Sequence, residues 1–222
     1  MNIFRQLTEK PWLPSEDSIE GLQGSQAAVA TPTVRVGLKL FLVVVGVLFF
    51  LLTITYAGRI AFEDWRPVPQ PRLMWQNTVM LILASVAMQW AQTAAKRDQW
   101  ENVMLGLVAG GVLTFAFIVG QLLAWKQLAS QGVFELTNPA IALFILITGL
   151  HGLHLFGGLI AWSRTTERVW RIDGLEAASV RLNVELCTLY WHFMLVVWLV
   201  LFGLLFSGNN NLEFLLAICG IR

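Results

Sequence analysis

Five stretches of nearly unbroken apolar residues, at 34–57, 73–95, 103–125, 139–162 and 184–206, alternate with short polar segments along the chain. Each is close to the roughly 20 residues that a helix needs to cross about 30 Å of hydrocarbon. They are too long, and too continuously apolar, for the alternating strands of a membrane barrel. A lone span in lipid must also satisfy its own backbone, which a helix does. The pattern predicts an all-α integral membrane helical bundle with five transmembrane helices in a single domain over residues 34–206. Pro139 sits at the margin of the fourth run, where a missing N–H is harmless.

The flanking segments differ in character. Residues 1–33 read as a polar N-terminal tail and a passive cap, with a short surface turn after the stretch KPWLPSED. They lack the apolar core of a cleavable signal peptide. Residues 207–222 read as a C-terminal tail. Five crossings place the termini on opposite sides, and the basic residues choose between the two orientations. Arg5, Lys10, Arg35, Lys39, Lys96, Arg97, Arg164, Arg168, Arg171 and Arg181 fall on one side; Arg59, Arg66, Arg72, Lys126 and Arg222 fall on the other. The positive-inside rule then sets the N-terminus in the cytoplasm and the C-terminus in the periplasm.

Composition agrees with a membrane location. Of the 222 residues 56% are hydrophobic and 13% charged, against the roughly 25% charged of a soluble domain, and the mean hydropathy is +0.65. A net charge of +1 provides no global field for nucleic acid. Cys187 and Cys219 belong to no CxxC or ligand spacing and leave the redox compartment open. Motifs for nucleotide hydrolysis, acyl transfer and covalent haem attachment are missing as well.

The informative residues are the polar ones inside the apolar runs, because a polar group in hydrocarbon needs a partner. In the second run Ser85, Gln89, Gln92 and Thr93 share one helical face, expected to meet protein. The third carries Gly106 and Gly110 at the spacing of a close-packing surface. Asn77, Gln89 and Gln121 are the polar membrane positions read as hydrogen-bonding glue between helices, since carboxamides do not ionise. The fourth run places His151 and His154 on one face, and the fifth places Glu185 and His192 on one face, with Tyr190 and Trp198 nearby. If those faces oppose, they form one polar seam. Such a seam could pin helices together, shape a lipid or subunit contact, or bind zinc or iron. An HExxH motif and further histidines are lacking, which weighs against the metal reading and against a catalytic centre.

Two segments carry a family resemblance. HGLHLFGG at 151–158 resembles the HGLHV segment of haem-copper oxidase subunit III, and YWHFMLVVW at 190–198 resembles that family's YWHFxDVVW, with Glu185 at the position of a family glutamate. The resemblance extends over essentially all five helices and matches least in the tail and first helix. It implies a non-catalytic subunit of the five-helix bacterial form in the inner membrane. Such a subunit binds subunit I of a terminal oxidase and other oxidase subunits, and supports assembly, turnover stability and proton uptake. The haems and copper would belong to the partner, with bound phospholipid and no cofactor on this chain. His151, His154, Glu185, Tyr190, His192 and Trp198 would then serve structure and lipid or interface contacts, with no catalytic residue and no metal. An accessory protein of nitric oxide reductase looks alike, and an autonomous transporter or metal enzyme is the more distant alternative. Asn77, Gln121, Ala124 and Leu195 stand where relatives carry carboxylates, which weakens any role resting on an ionised group in the membrane.

Overall fold

The computed structural model describes residues 16–60, 62, 65, 72–130, 139–171 and 177–207, with side chains described between residues 33 and 206. The described residues contain five helices and no strand: α1 (Glu16–Arg59), α2 (Leu73–Lys96), α3 (Trp100–Ser130), α4 (Pro139–Trp170) and α5 (Ala177–Ser207). Each holds a span long and apolar enough to cross a membrane. The chain is therefore an all-α multi-pass helical bundle.

The helices overshoot the apolar runs. A helix satisfies its own backbone, so it can continue past the hydrocarbon boundary. α4 does so through Thr165 and Thr166, whose hydroxyls donate to Ala161 O and Trp162 O at 3.0 Å each. Glu167 and Arg171, one turn apart, then pair at 3.0 Å. At the other end of the chain, α1 already begins at Glu16. The tail and surface turn expected before residue 34 are replaced by helix from that point, in a stretch containing the good helix formers Ala27, Ala28 and Ala30. Residues 1–15 and the C-terminal tail beyond Ser207, including Cys219, lie outside the described residues.

Two compact units divide at Phe41 and Leu42. The first contains the described helical segment 16–41, which exposes Val34, Val36, Leu40 and Phe41. In the second, α2 packs against α3 and α5, and α4 packs against the same two helices, which closes a four-helix ring. Burial follows the helical period on every member. On α2 the buried positions include Met74, Asn77, Leu81, Ala84, Met88, Ala91 and Ala95; on α3 they include Val103, Leu107, Gly110, Thr114, Phe117, Gln121 and Ala124. Intervals of three and four keep one face inward and leave the other for lipid or a partner. From Leu42 onward α1 buries the narrow stripe Leu42, Val45, Phe49, Tyr56 and Ala57.

Two local features set the α2–α3 pair. The turn between them is Arg97, Asp98 and Gln99, with Asp98 at φ 57°. Its amides close a Schellman motif, Gln99 N–H donating to Ala94 O at 3.1 Å and Asp98 N–H to Ala95 O at 3.4 Å. Glycine usually fills the left-handed position, and aspartate is among the few other residues that tolerate it. The Asp98 carboxylate also pairs with Arg181 near the start of α5. Further along, a Cβ at Gly106 would lie 2.9 Å from both Ala87 O and Ala91 Cβ on α2. That is the close backbone approach expected from the Gly106 and Gly110 spacing.

Replacing Gly106 by isoleucine should force α2 and α3 apart. Overpacking of this kind costs about 1–3 kcal/mol. Thermal unfolding in detergent should show a lower midpoint for Gly106→Ile and little change for Gly203→Ile, where a Cβ meets nothing within 4 Å. Equal midpoints would remove the close-packing role.

Candidate functional site

Buried tryptophans shape the interior. An indole is large and apolar, but its N–H needs an acceptor when water is excluded. In the ring the acceptors are mostly threonine hydroxyls on neighbouring helices. Trp191 on α5 donates to Thr114 Oγ1 on α3 at 2.8 Å. Trp198 on α5 donates to Thr78 Oγ1 on α2 at 3.0 Å, and Trp125 on α3 donates to Thr148 Oγ1 on α4 at 3.2 Å. Each hydroxyl passes its own proton to the carbonyl four residues earlier: Thr114 to Gly110 O at 2.8 Å, Thr78 to Met74 O at 2.9 Å and Thr148 to Phe144 O at 2.7 Å. Threonine suits this double task because its hydroxyl bonds the preceding turn without leaving the helix.

Three further contacts complete the ties. Trp162 on α4 donates to Leu107 O on α3 at 2.9 Å. The Thr188 hydroxyl on α5 reaches Met88 O on α2 at 3.1 Å. Tyr190 on α5 donates to His154 O on α4 at 2.7 Å. Every pair of packed helices in the ring except α2–α3 is thus joined by a described hydrogen bond from Trp, Thr or Tyr. The α2–α3 pair has Asn77 Nδ2 donating to Gln121 Oε1 at 3.3 Å. Glycines make room for these large groups: a Cβ at Gly158 would overlap the Tyr190 ring, and one at Gly120 would overlap Asn77 Oδ1.

The three imidazoles form no common seam: His151 and His154 share contact with Phe49, and His192 stands apart from them. His151 is fully buried, and its ring lies among Trp198, Phe117 and Phe49 at centroid distances of 5.2, 5.9 and 6.1 Å. Neither of its ring nitrogens has a hydrogen-bond partner among the described residues. His154, half-buried one turn later, donates from Nδ1 to Leu150 O at 2.8 Å and meets Phe49 edge-on. His192 turns away from both. Its Nε2 donates to Gln89 Oε1 on α2 at 2.8 Å, and its Nδ1 accepts from the Ser85 hydroxyl. The cause lies in the register of α5. Trp191, Met194 and Trp198 take the interior face, which swings His192 toward α2. Glu185, two turns earlier on the His192 side, is half-buried.

The α2 stripe also divides. Ser85 is buried against α5 as expected, but Gln89 is exposed, and Thr93 bonds its own helix at Gln89 O. Asn77 and Gln121 do act between helices, although Gln121 Nε2 has no partner among the described residues. The tryptophan–threonine ties were not singled out from the sequence. The available signal was Trp191 and Trp198 deep inside the fifth apolar run and Trp125 and Trp162 closing the third and fourth, each of which required an acceptor within reach. No group of three or more His, Cys, Asp and Glu side chains among the described residues is arranged to hold a metal ion.

Fold and interior together define a multi-pass helical membrane protein whose buried polar groups hold its helices to one another. The profile of cytochrome c oxidase subunit III matches residues 7–208. The chain is also similar to "Probable cytochrome c oxidase subunit 3" of Mycobacterium bovis, 31% identical over 150 residues, covering 64% of this chain and 71% of that one. It is similar to cytochrome c oxidase subunit 3 of Synechocystis sp., 30% identical over 177 residues with 77% and 73% covered. A third relative, cytochrome c oxidase subunit 3 of Thermostichus vulcanus, is 29% identical over 182 residues with 79% and 88% covered. The chain belongs to the cytochrome c oxidase subunit III family.

The Trp191–Thr114 tie can be weighed by a double-mutant cycle with Thr114→Val and Trp191→Phe, read by reversible unfolding in mixed micelles. A coupling energy of about 0.6–1.7 kcal/mol is expected, the range measured for side-chain hydrogen bonds between membrane helices. Strictly additive single mutants would show that the bond contributes nothing.

Proposed function

We propose that this chain is the non-catalytic subunit III of a bacterial haem-copper terminal oxidase, docked on subunit I in the inner membrane. There it supports assembly and durability of the complex during turnover. The observation that carries this reading is the family match over residues 7–208, which runs through all five helices. The use of the interior polar groups supports it: those described tie helix to helix.

Support of proton uptake follows indirectly on this reading. Asn77 and Gln121 are buried between α2 and α3 but cannot exchange a proton at neutral pH. The contribution of the chain is to keep subunit I intact, with phospholipid held against its exposed apolar faces. His151, His154, Glu185, Tyr190, His192 and Trp198 serve helix packing and interface contacts in this role. The N-terminus lies in the cytoplasm, as the basic residues of the short loops favour.

Copurification tests the assignment: the chain should elute with a haem- and copper-bearing subunit that reduces oxygen. Elution with a nitric oxide reductase, or alone with stoichiometric zinc or iron, would overturn it. In the assembled oxidase His192→Ala removes two hydrogen bonds, at about 1 kcal/mol each. It should lower subunit occupancy and shorten activity during sustained turnover while haem reduction per assembled complex persists. Full occupancy and durability with lost haem reduction would contradict the accessory role.

Orientation is tested separately. In a Cys219→Ser background, Glu167→Cys on the exposed end of α4 should react with a membrane-impermeant maleimide only after the cytoplasmic face is opened. Labelling in intact spheroplasts would reverse the topology.

A further inference from the structure

The polar cluster on the α2–α5 surface is incomplete within this chain. Gln89 is exposed, and its Oε1 is occupied by the N–H of His192 Nε2. Its amide nitrogen carries two further N–H donors that meet no acceptor among the described residues. Gln89 lies seven residues before Lys96, the end of α2, which places it about 10 Å along the helix from that charged margin. Lipid tails accept no hydrogen bond at such depth, and leaving an amide unsatisfied there is costly. Snorkelling is blocked as well, because the bond to His192 fixes the direction of the amide, while Ser85 holds the opposite side of the imidazole.

The surroundings have the form of an interface. Ile82 and Val86 precede Gln89 on the same face of α2 with relative exposures of 38% and 59%. On the adjoining α5, Leu189 and Val196 flank His192 at 39% and 58%. An apolar rim around one fixed polar pair suits a packed helix that supplies an acceptor, since the rim excludes water and lipid from the bond. A second copy of the chain fits poorly. It would bring the same donor-rich amide, whose oxygen takes the His192 proton on one lone pair and has only one left for the two free N–H groups.

We infer that the α2–α5 face centred on Gln89 and His192 is the docking surface for a transmembrane helix of the oxidase's haem-bearing subunit, which presents an acceptor oxygen to the Gln89 amide. This inference rests on the function proposed above and adds to it the surface used and the chemistry of the contact. Gln89 is a recognition residue on this surface, and His192 positions it.

Photo-crosslinking in the intact complex tests the surface. A photoreactive side chain at Val86 or Val196 should form adducts with the haem-bearing subunit. The same group at Val112 on α3 or Leu153 on α4, both exposed on other faces, should give several-fold weaker adducts. Gln89→Leu should reduce retention of the subunit through detergent washing about threefold to tenfold, the equivalent of one hydrogen bond between membrane helices. Val112→Ala, on an exposed face of α3 outside the cluster, should leave retention near the native level. Adducts from Val112 or Leu153 alone, adducts only with a second copy, or undiminished retention of Gln89→Leu would each overturn the inference while leaving the proposed function standing. Failure of any haem-bearing subunit to copurify would overturn both.

Discussion

Hydrocarbon offers a polar side chain no partner, and the rest of this structure depends on how its indole and hydroxyl groups are satisfied without water. The solution is a relay in which tryptophan donates to threonine on the next helix and threonine donates to its own preceding turn. Such a relay uses the hydroxyl both as donor and as acceptor and fixes the lateral position of two helices at one point. Trp191 and Trp198 give α5 two of these points, on different neighbours. Tyr190 and Thr188 add bonds to α4 and α2. Van der Waals packing, as at Gly106, draws the helices together in lipid, and directional bonds of this sort add fixed points to their register.

Within that frame the histidines have unlike roles although they share one residue type. His151 is packed as a ring among rings, with no described hydrogen bond at either nitrogen. His154 bonds its own helix, and its backbone carbonyl receives Tyr190. His192 is gripped at both nitrogens by α2 and lies at the edge of the bundle. With His192 turned to α2 and away from the other two, the three imidazoles make a poor ligand set but good spacers between helices.

Much of the architecture was legible in the apolar runs, because the length required to cross a bilayer is a one-dimensional quantity that sequence displays directly. The Gly106 and Gly110 approach could be read for a similar reason: small residues at helical spacing leave few other uses. The faces were harder. Glu185 and His192 do share a side, but which helix that side meets depends on the register set by Trp191 and Trp198, which is a tertiary matter. The expectation of one histidine seam failed there. Glu16–Ala30 also escaped, since a polar helical stretch joined to a transmembrane helix has the same composition as a tail. Asn77 and Gln121 were legible as uncharged polar groups inside the membrane, whereas their pairing across α2 and α3 was not.

The connectivity of the ring has a biosynthetic consequence. α2 and α3 are joined by only Arg97, Asp98 and Gln99 and approach closely at Gly106, so they can pair as a hairpin soon after both are made. α5, the last span of the ring to leave the ribosome, contributes to the ties with α2, α3 and α4, and Arg181 near its start meets Asp98 in the hairpin turn. Until α5 is threaded, Thr78 and Thr114 await their indole donors and the ring stays open between α2 and α4. Closure of the ring is therefore deferred until α5 has been made, and a chain stalled before it leaves Thr78 and Thr114 without the indoles that the finished ring supplies.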